Sequence, residues 1–559
     1  EETIIERDAL GQITAKRSSD GSFASFRYNE YGQIVEARNQ SVAVRFERDT
    51  YGRVTREIQG EHFVESVYDR RGLRTRRITS AGKRCDWAYD DNGLPEALRL
   101  SNDQLLEFNH DVVGRETQRR FGDSFSLRQS YNTLDKLTEQ RAGVEDSAVV
   151  ERSYRYDINR NPVEIDDRRW GKTSFEYDSN GRIQNASCSN GESEEFRYDP
   201  AGYIIKSAFR LGDTAKHSQT LATLKSHFFS RGGRLEQAED RRYFYDEDGR
   251  VIEKQENGKA WKYEWTAEGQ LRSVLTPSGE RWNYEYDAFG RRIRKQGSDT
   301  SIAYVWDGAV VAEEIRRGPS EAEGMAIGWV FEPGSFRPLA KQEKGQTYLC
   351  VTDQVGTPRE LIDSLGELAW SARFSVWGQV QEQTTNTTEC PIRFQGQWFD
   401  EESGLHYNWH RYYDPETGRY LSPDPLGLQG GLRSFGYVHN PLGWVDPLGL
   451  TNLNTNGAEG DFGIYEITKD GKLYKIGKAD LGRVTQSSGQ PTRLHQQVRK
   501  LGEQNPDSVV EGEVVEEGYK TTAEAKTAET RRLQQHFDET GEIPEGNKKS
   551  FKPSGGKCG

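Results

Sequence analysis

The chain has 559 residues, a formal net charge of −13 and a mean hydropathy of −0.90, with 33% hydrophobic and 11% aromatic residues. The aromatic content argues against disorder, and the acidic balance excludes nucleic-acid binding by bulk electrostatic attraction. The 57 glycines, set against one methionine, indicate many turns between short strands.

Five scattered cysteines without a CxxC pair indicate neither a disulfide framework nor a zinc site. No apolar run approaches the roughly 18 residues of a membrane span, and no signal peptide is visible. The chain begins at Glu1, without methionine and already inside a repeat, so we interpret it as a fragment or a processed form.

From the first strands onward, a short motif recurs in which a residue, usually aromatic, precedes Asp-x-x-Gly. The motif aspartates, mostly 20 or 21 residues apart, are Asp49, Asp69, Asp90, Asp111, Asp157 (where Arg160 replaces the Gly), Asp178, Asp199, Asp246 and Asp287. Each unit predicts a hairpin in which Gly supplies the positive φ of the turn, and we expect the aromatic residue to pack against the next unit. Because one hairpin cannot bury its face alone, the units are predicted to stack into a continuous sheet.

The repeat resembles the YD repeat of the Rhs family, which is shared with insecticidal toxin complexes and with teneurins. The resemblance covers roughly residues 20–450 and implies a mainly β fold, in which the sheet spirals into a hollow cocoon. A different solenoid or a propeller is the alternative. On this basis we divide the chain into a YD/Rhs shell over 1–395, an Rhs-associated core over 396–450 and a C-terminal toxin domain over 451–559.

Near the end of the core, the string Asp-Pro-Leu-Gly-Leu occurs twice, beginning at Asp424 and at Asp446. A single copy is explained as a turn by its Pro and Gly. Two copies suggest chemistry, because two adjacent carboxylates do not ionise independently, so that one keeps a proton while the other acts as a base on water.

The resemblance to Rhs proteins implies that Asp424 and Asp446 form such an aspartyl dyad, which cuts the chain between Leu450 and Thr451. Arg419 is our candidate to orient or neutralise one of the two carboxylates.

After Leu450 the repeats stop and the charge balance changes. Residues 451–559 carry 16 Lys and Arg against 17 Asp and Glu, whereas the preceding part carries 60 against 72. A linker over 451–461 is followed by a predicted hairpin across Lys469–Lys472, and then by two predicted helices, 491–502, ended by Gly502, and 521–537.

Glu529 lies on the apolar stripe of the second predicted helix, where a carboxylate must be paired or must bind something. One interpretation is a salt bridge to Arg532 or another local base. The other is that Glu529 is a metal ligand.

The hairpin carries Gly463-Ile464-Tyr465 and Tyr474-Lys475-Ile476-Gly477, which resemble the motifs of the GIY-YIG nuclease superfamily. The resemblance implies a small α+β domain that hydrolyses phosphodiesters with one divalent metal, Mg²⁺ or Mn²⁺. The residues it assigns are Glu529 as the metal ligand, Tyr465 as the group that activates water, Tyr474 as the second catalytic tyrosine, Arg493 as the phosphate-binding arginine with Arg483 as its rival, Lys478 as a phosphate contact, His495 as an aid to proton transfer, and Asn547 in substrate binding.

Tyr474 departs from the motif, because the usual tyrosine stands where this chain has Lys475. Strand alternation puts Tyr474 on the opposite face unless a bulge intervenes.

Together these features predict a bacterial Rhs effector, made in the cytoplasm and delivered by a secretion system such as type VI into competitor cells. The expected partners are a nucleic-acid substrate, with DNA favoured over RNA, a cognate immunity protein, and a secretion spike or chaperone. The alternatives are a YD-repeat adhesion protein, or a toxin tail with other chemistry. A deaminase or an ADP-ribosyltransferase needs signatures that the sequence does not contain.

Overall fold

The computed structural model describes residues 2–122, 125–144, 147–210, 224–319, 324–450, 459–481, 491–505 and 508–548. The chain divides into two compact units, Glu1–Ala88 with Pro95–Pro425 and Leu432–Leu450, and Tyr89–Leu94 with Leu426–Gly431 and Thr451–Gly559. Among the described residues, no helix is both long and apolar enough to cross a membrane.

The first unit contains one sheet of 36 described strands, in which each strand pairs with the next along the chain. Its first third comprises β1 Thr3–Arg7, β2 Ile13–Ser18, β3 Phe23–Tyr28, β4 Ile34–Asn39, β5 Ala43–Arg48, β6 Val54–Gln59, β7 His62–Tyr68, β8 Arg74–Thr79, β9 Arg84–Tyr89, β10 Pro95–Leu100, β11 Leu105–His110 and β12 Glu116–Phe121. The middle third comprises β13 Phe125–Tyr131, β14 Leu137–Val144, β15 Ser147–Tyr156, β16 Pro162–Asp167, β17 Gly171–Tyr177, β18 Ile183–Cys188, β19 Ser193–Tyr198, β20 Ile204–Arg210, β21 Lys225–Phe229, β22 Leu235–Ala238, β23 Arg241–Tyr245 and β24 Val251–Glu256. The last third comprises β25 Lys259–Trp265, β26 Leu271–Leu275, β27 Arg281–Tyr286, β28 Arg292–Gln296, β29 Ser301–Asp307, β30 Val310–Arg317, β31 Met325–Phe331, β32 Pro338–Glu343, β33 Gln346–Thr352, β34 Pro358–Ile362, β35 Leu368–Phe374 and β36 Val380–Thr385.

The repeated aspartate closes the turn of each hairpin through its side chain. Asp178 Oδ1 accepts the backbone N–H groups of Asn180 and Arg182, both over 2.9 Å, and Gly181 supplies a φ of +77°. Arg182 Nε returns to Asp178 Oδ2 over 2.7 Å. The predicted hairpin turn with a positive φ at Gly is present, and the structure adds that the aspartate side chain caps it.

The aromatic residue ties neighbouring units together, but in the direction opposite to the expectation. The Tyr198 hydroxyl donates to the carbonyl oxygen of Ile183 in the preceding unit over 2.7 Å. Arg182 of that preceding unit lies over the Tyr198 ring at 4.9 Å. The phenol is long enough to reach back across one hairpin, so packing against the next unit was the wrong direction.

Hydrogen bonds between later strands and the side chains of much earlier ones show that the sheet spirals. Amide groups about 210 to 250 residues away donate to main-chain oxygens in the pairs Asn39 with Tyr286, Gln59 with Trp306, and Gln140 with Thr352. The predicted mainly β fold, built from one continuous antiparallel YD-repeat sheet, is confirmed.

A small second sheet in the same unit comprises β37 Trp398–Asp400, β38 Leu405–Asn408, β39 Arg411–Asp414 and β40 Arg419–Tyr420. It is fixed to the large sheet by a fully buried ion pair, in which Arg292 of β28 binds both oxygens of Asp400 over 2.5 and 2.9 Å. Lys295 adds a contact to Asp400 at 3.0 Å. Such bidentate pairing has a defined geometry, so the small sheet is held in one orientation.

In the second unit, β41 Glu459–Lys469, β42 Lys472–Asp480 and β43 Val510–Thr521 form a sheet in the order β42-β41-β43. The helices are α1 Thr492–Gln504 and α2 Thr522–Thr540. The predicted hairpin and both helices are present, although α1 continues past Gly502 to Gln504. The sequence analysis missed β43, whose repeated glutamates and half-exposed edge position give no apolar alternation.

The two helices lie on opposite faces of this sheet. Leu494 and Leu501 of α1 pack against Tyr465 and Ile467. Residues of α2, among them Ala525, Ala528 and Leu533, pack against the alternate residues Phe462 and Ile464. Strand alternation therefore assigns Tyr465 to the α1 face.

Candidate functional site

Asp424 and Asp446 lie around one guanidinium group. Arg411 Nη2 is 3.0 Å from Asp424 Oδ2 and 3.4 Å from Asp446 Oδ2, and all three side chains are buried. Arg411 is the first residue of β39, so the anchored small sheet sets its position. The structure thus brings the two predicted carboxylates together around a cation that the sequence analysis did not assign.

The same arginine binds the predicted scissile carbonyl. Arg411 donates from Nη2 to the carbonyl oxygen of Leu450 and from Nε to that of Gly449. The Leu450 N–H donates to Asp446 Oδ1 over 3.0 Å. A charged donor on a carbonyl oxygen stabilises negative charge that develops there, as an oxyanion hole does. Thr451 lies outside the described residues.

Burial raises the pKa of the Asp446 carboxyl, and the neighbouring Asp424 raises it further. The Arg411 charge, the Tyr420 hydroxyl and the Leu450 amide each lower that pKa. The pKa of Asp446 is therefore set by opposing effects of burial, charge and hydrogen bonding. Such environments are typical of carboxyl groups that exchange protons at functional sites.

Gly449 allows the chain to approach the small sheet closely. Its φ is +67°. A Cβ atom at this position would lie far inside van der Waals distance of the Asn408 carbonyl oxygen, and 3.2 Å from the backbone nitrogen of Arg411. The Gly of the second pentapeptide is therefore needed both for its backbone conformation and for this contact.

The expectation that Arg419 orients or neutralises a carboxylate of the dyad is wrong. Its guanidinium donates to the Gly233 carbonyl oxygen and lies over the rings of Tyr203 and Phe229. Arg411 takes that place, and a signal for it exists in the sequence. An arginine in the strongly aromatic stretch 406–413 must be paired once it is buried.

In the second unit, Glu529 is half-buried on α2 and lies among basic groups. Burial raises the pKa of its carboxyl, while the charges of Lys478, Arg493, Lys475 and Lys526 lower it. Four cations from β42, α1 and α2 therefore act electrostatically on one carboxylate. This is an environment for a polyanion rather than for an isolated acid.

Arg532, the proposed structural partner of Glu529, is engaged elsewhere. It contacts Glu466 at 2.6 Å and Glu516 at 2.8 Å. Within the described part of the chain, no group of three or more His, Cys, Asp or Glu side chains is arranged to hold a metal.

Tyr465 is buried on the α1 face of the sheet and interacts with two of these charged groups. Burial raises the pKa of its hydroxyl, Arg493 lowers it and Glu529 raises it. Arg493 lowers that pKa both by its charge and by a hydrogen bond to the hydroxyl, so the two side chains lie together. A Cβ atom on Gly477, which pairs with Tyr465 across the strands, would collide with the phenol ring and hydroxyl.

A bulge decides the position of Tyr474. Ile467 pairs with Lys475 and Thr468 with Leu473, which leaves Tyr474 unpaired, and Tyr474 packs with the cluster of Tyr465. The bulge condition stated from the sequence is therefore met, and both tyrosines lie on the α1 face.

Lys475 faces the same side as the two tyrosines. Its Nζ donates to Gln497 Oε1 of α1 over 2.9 Å. The sequence analysis assigned Lys475 no role.

The remaining assigned residues lie in different surroundings. Asn547 is buried, and its amide both accepts from the Ile476 N–H over 2.9 Å and donates to the Ile476 carbonyl over 2.8 Å, so it holds β42 in place. Its role in substrate binding stays a prediction. His495 lies on α1, where burial and Arg499 lower the pKa of its imidazole. Arg483 lies outside the described residues.

Comparison with known proteins bears on the first unit. The sequence model of the teneurin YD-shell family matches residues 113–429. The chain is 32% identical to the probable deoxyribonuclease RhsA of Dickeya dadantii (strain 3937), over 83% of this chain and 33% of that protein. It is 30% identical to the double-stranded DNA deaminase toxin A of Burkholderia cenocepacia (strain H111), over 80% of this chain and 34% of that protein.

Among solved structures, the chain is similar to the Tc holotoxin pore of Photorhabdus luminescens that carries a TccC3-D651A mutation. The TM-score is 0.67 at 17% identity, over 81% of this chain and 27% of that chain. This likeness shows the fold alone. The chain spans about a third of the length of the curated relatives that it matches.

Proposed function

The chain belongs to the teneurin YD-shell family, and from that premise we propose that it is part of an Rhs effector that cuts itself after Leu450. The cut releases residues 451–559 as a metal-dependent nuclease toxin. The observation that carries the self-cleavage is the contact of Arg411 with the Leu450 carbonyl oxygen and with both carboxylates of the dyad.

The chemistry of the cut follows from these contacts. One carboxyl group of the dyad takes a proton from a water molecule, whose oxygen forms a bond to the Leu450 carbonyl carbon. Arg411 stabilises the negative charge on the carbonyl oxygen. The bond to the Thr451 nitrogen then breaks, and the other carboxyl group of the dyad supplies the proton that this nitrogen takes.

The shell is proposed to enclose the toxin until release. Strand alternation turns half of the side chains of each strand towards one face, so a closed spiral has an inner surface of its own. The fold shared with the Tc toxin structure supports this proposal. Limited proteolysis tests it, because an enclosed 451–559 segment resists protease in the native particle, and rapid digestion of that segment contradicts enclosure.

The relatives carry different named activities, a deoxyribonuclease and a DNA deaminase, although each matches at least 80% of this chain. The activity of this chain must therefore be inferred from its own C-terminal residues. The observation that carries the nuclease proposal is the half-buried carboxylate of Glu529, which interacts electrostatically with Tyr465 and with four cations.

The donor set fits one divalent cation. Glu529 is one carboxylate without a cage of further acidic ligands among the described residues, and Mg²⁺ characteristically binds through one or two carboxylates, waters and substrate phosphates. When bound, the metal supplies Lewis-acid stabilisation of charge on the phosphoryl oxygens.

The residues of the chain supply binding and proton transfer. Arg493 presents a planar fork for two phosphate oxygens, and Lys475, Lys478 and Lys526 add positive charge around them. Tyr465 has a buried hydroxyl next to Arg493 and is proposed to pass on a proton from the attacking water. Tyr474 is proposed to assist from the same face.

The remaining proposals concern partners and delivery. A relative named as a probable deoxyribonuclease supports DNA as the substrate rather than RNA. An immunity protein, a secretion spike or chaperone, and delivery into competitor cells are proposed by analogy with Rhs toxins.

One experiment tests both activities. The purified chain is expected to run as fragments of about 450 and 109 residues, and these fragments are then offered plasmid DNA and tRNA with Mg²⁺ or with EDTA. An uncut chain overturns the self-cleavage. Cleavage of nucleic acid that EDTA leaves unchanged overturns the metal-dependent nuclease.

A further inference from the structure

Two consecutive hydrogen bonds lead from the end of strand β38 to the Asp446 carboxylate. Asn408, the last residue of β38, donates from Nδ2 to the Tyr420 hydroxyl over 2.8 Å. That hydroxyl donates to Asp446 Oδ2 over 2.8 Å. The same Asn408 nitrogen donates to the main-chain oxygen of Asp446 over 2.9 Å. Asn408 therefore fixes the backbone of Asp446 directly and its side chain through Tyr420.

The Tyr420 ring supports the other member of the site. The Arg411 guanidinium lies 3.7 Å from the centre of that ring, within the range of a cation–π contact. Tyr420 thus touches Asp446 with its hydroxyl and Arg411 with its ring. Asp446 and Arg411 are the two groups that bind the N–H and the carbonyl oxygen of Leu450.

Asn408 occupies its position at a cost to stability. The side chain is fully buried, and its Oδ1 has no hydrogen-bond partner among the described residues. A buried, unsatisfied acceptor costs about 1–3 kcal/mol. The Nδ2 contacts to Tyr420 and Asp446 are what the asparagine provides in return.

We propose that Tyr420, oriented by Asn408, is a positioning residue for the self-cleavage, which aims the Asp446 carboxylate and the Arg411 guanidinium at the Leu450–Thr451 bond. This inference rests on the proposed self-cleavage by Asp424 and Asp446. The Tyr420 hydroxyl also lowers the pKa of Asp446, so its removal is expected to change the pH dependence of the cut as well as its rate.

The test uses the full chain with Tyr420→Phe, which keeps the ring beneath Arg411 and removes the hydroxyl. Pulse-labelled chain from a cell-free translation is chased into buffers across the acid and neutral range, and the cut fraction is followed on gels. We expect the rate to fall by up to about 100-fold, the cost of a small misplacement of a reacting group. We also expect the limb of the pH profile that reports Asp446 to move to higher pH, because a group that lowered its pKa has been removed.

The matched control is Tyr413→Phe. Tyr413 is equally buried in the neighbouring strand β39, but its hydroxyl donates to the Trp377 carbonyl oxygen over 2.8 Å. This control is expected to cut at the wild-type rate with the wild-type pH profile.

Asn408→Ala supplies a second variant with the same readout, because it leaves the Tyr420 hydroxyl in place without its orientation. If the two residues act as one unit, the double variant is no slower than the slower single variant. A Tyr420→Phe chain that melts like the control and cuts with the wild-type rate and pH profile overturns the inference, as do additive effects of the two changes.

Failure of the underlying self-cleavage looks different in the same assay. In that case the wild-type chain stays whole, or chains with Asp424→Asn or Asp446→Asn are cut normally.

Discussion

Arg411 donates hydrogen bonds to two consecutive carbonyl oxygens, those of Gly449 and Leu450, while it also contacts both carboxylates of the dyad. Arg411→Lys keeps the charge but cannot make these contacts together, because an ammonium lacks the planar fork. We expect self-cleavage to slow by about 100-fold or more, the usual cost of losing a donor to a developing oxyanion.

Arg419→Lys is the control for that prediction, since Arg419 is also buried but binds the Gly233 carbonyl oxygen. Gel analysis of freshly made chain measures the cut in both variants. Rapid cutting of Arg411→Lys, or equal slowing of both variants, would contradict the role of Arg411.

The two copies of the pentapeptide supply a matched pair of glycine substitutions. Gly449 and Gly427 both have positive φ, +67° and +57°, but only Gly449 lies against the backbone of Asn408, whereas Gly427 has open space around its Cβ position. Alanine costs about 1–2 kcal/mol of backbone strain at either site. We expect Gly449→Ala to block the cut because the added methyl displaces the scissile bond, while Gly427→Ala still cuts. Mass spectrometry of the fragments checks both, and efficient cutting of Gly449→Ala after Leu450 would refute this reasoning.

The repeat could be predicted from sequence because its turn is local. The hydrogen bonds that close the turn, from Gly181 and Arg182 to Asp178, lie within five residues, so spacing alone specifies the turn. The spiral depends on pairs such as Gln59 and Trp306, 247 residues apart, and only a resemblance to known proteins predicted it.

The sites were predicted less completely for the same reason. Asp424 and Asp446 were identified by their repeated string, whereas Arg411 is defined by contacts that arise only when the small sheet folds. The position of Tyr474 depends on a bulge in β42. The sequence allowed that bulge to be stated as a condition, but could not show whether it forms. The strand β43 was missed because its many glutamates interrupt the alternation of apolar and polar residues that predicts a strand.

The raised pKa of Glu194 predicts that the stability of the shell depends on pH. Burial raises the pKa of its carboxyl to about 7 from 4.5, although the Val376 N–H and Arg373 lower it. A carboxyl group whose pKa is raised on folding favours the folded state below its unfolded pKa, and this contribution is lost as the pH rises through the folded pKa. We expect the free energy of unfolding to fall by about 3 kcal/mol between pH 4.5 and somewhat above 7.

Glu194→Gln removes the titration, so its stability is expected to vary less over that range. Urea denaturation at a series of pH values measures the effect. Glu195→Gln on the same strand is the control, expected to keep the wild-type slope. The same slope in Glu194→Gln and in the wild type would exclude Glu194 as the source.

Glu529→Gln is expected to abolish toxicity of the expressed 451–559 segment and its cleavage of nucleic acid. The amide keeps the size of the side chain but cannot hold a divalent cation with a negative charge. Glu539→Gln, an exposed change on the same helix, is expected to remain toxic. Growth assays and Mg²⁺-dependent cleavage measure both, with circular dichroism to confirm folding. A folded Glu529→Gln segment that still kills cells would require chemistry without the metal.

Gly477 offers a test of the proposed nuclease site, because it pairs with Tyr465 and leaves room for the ring of that tyrosine. A Cβ atom at position 477 would collide with the Tyr465 ring carbon and hydroxyl, whereas at Gly502 on α1 it would meet nothing within 4 Å. Gly477→Ala must therefore displace the phenol from its present position. Gly502→Ala should stabilise the helix by about 0.5–1 kcal/mol, since alanine loses less conformational freedom there.

We expect Gly477→Ala to lose at least about 100-fold in cleavage rate, the cost of displacing a reacting group. Gly502→Ala is expected to keep wild-type cleavage with a higher melting temperature. Tyr465→Phe adds a third measurement, because it removes the hydroxyl and leaves the ring. If the hydroxyl carries the proton transfer, Gly477→Ala and Tyr465→Phe are slowed alike, and combining them causes little further loss. Wild-type cleavage by a folded Gly477→Ala protein would separate Tyr465 from the reaction and leave Glu529 and the surrounding cations as a binding site alone.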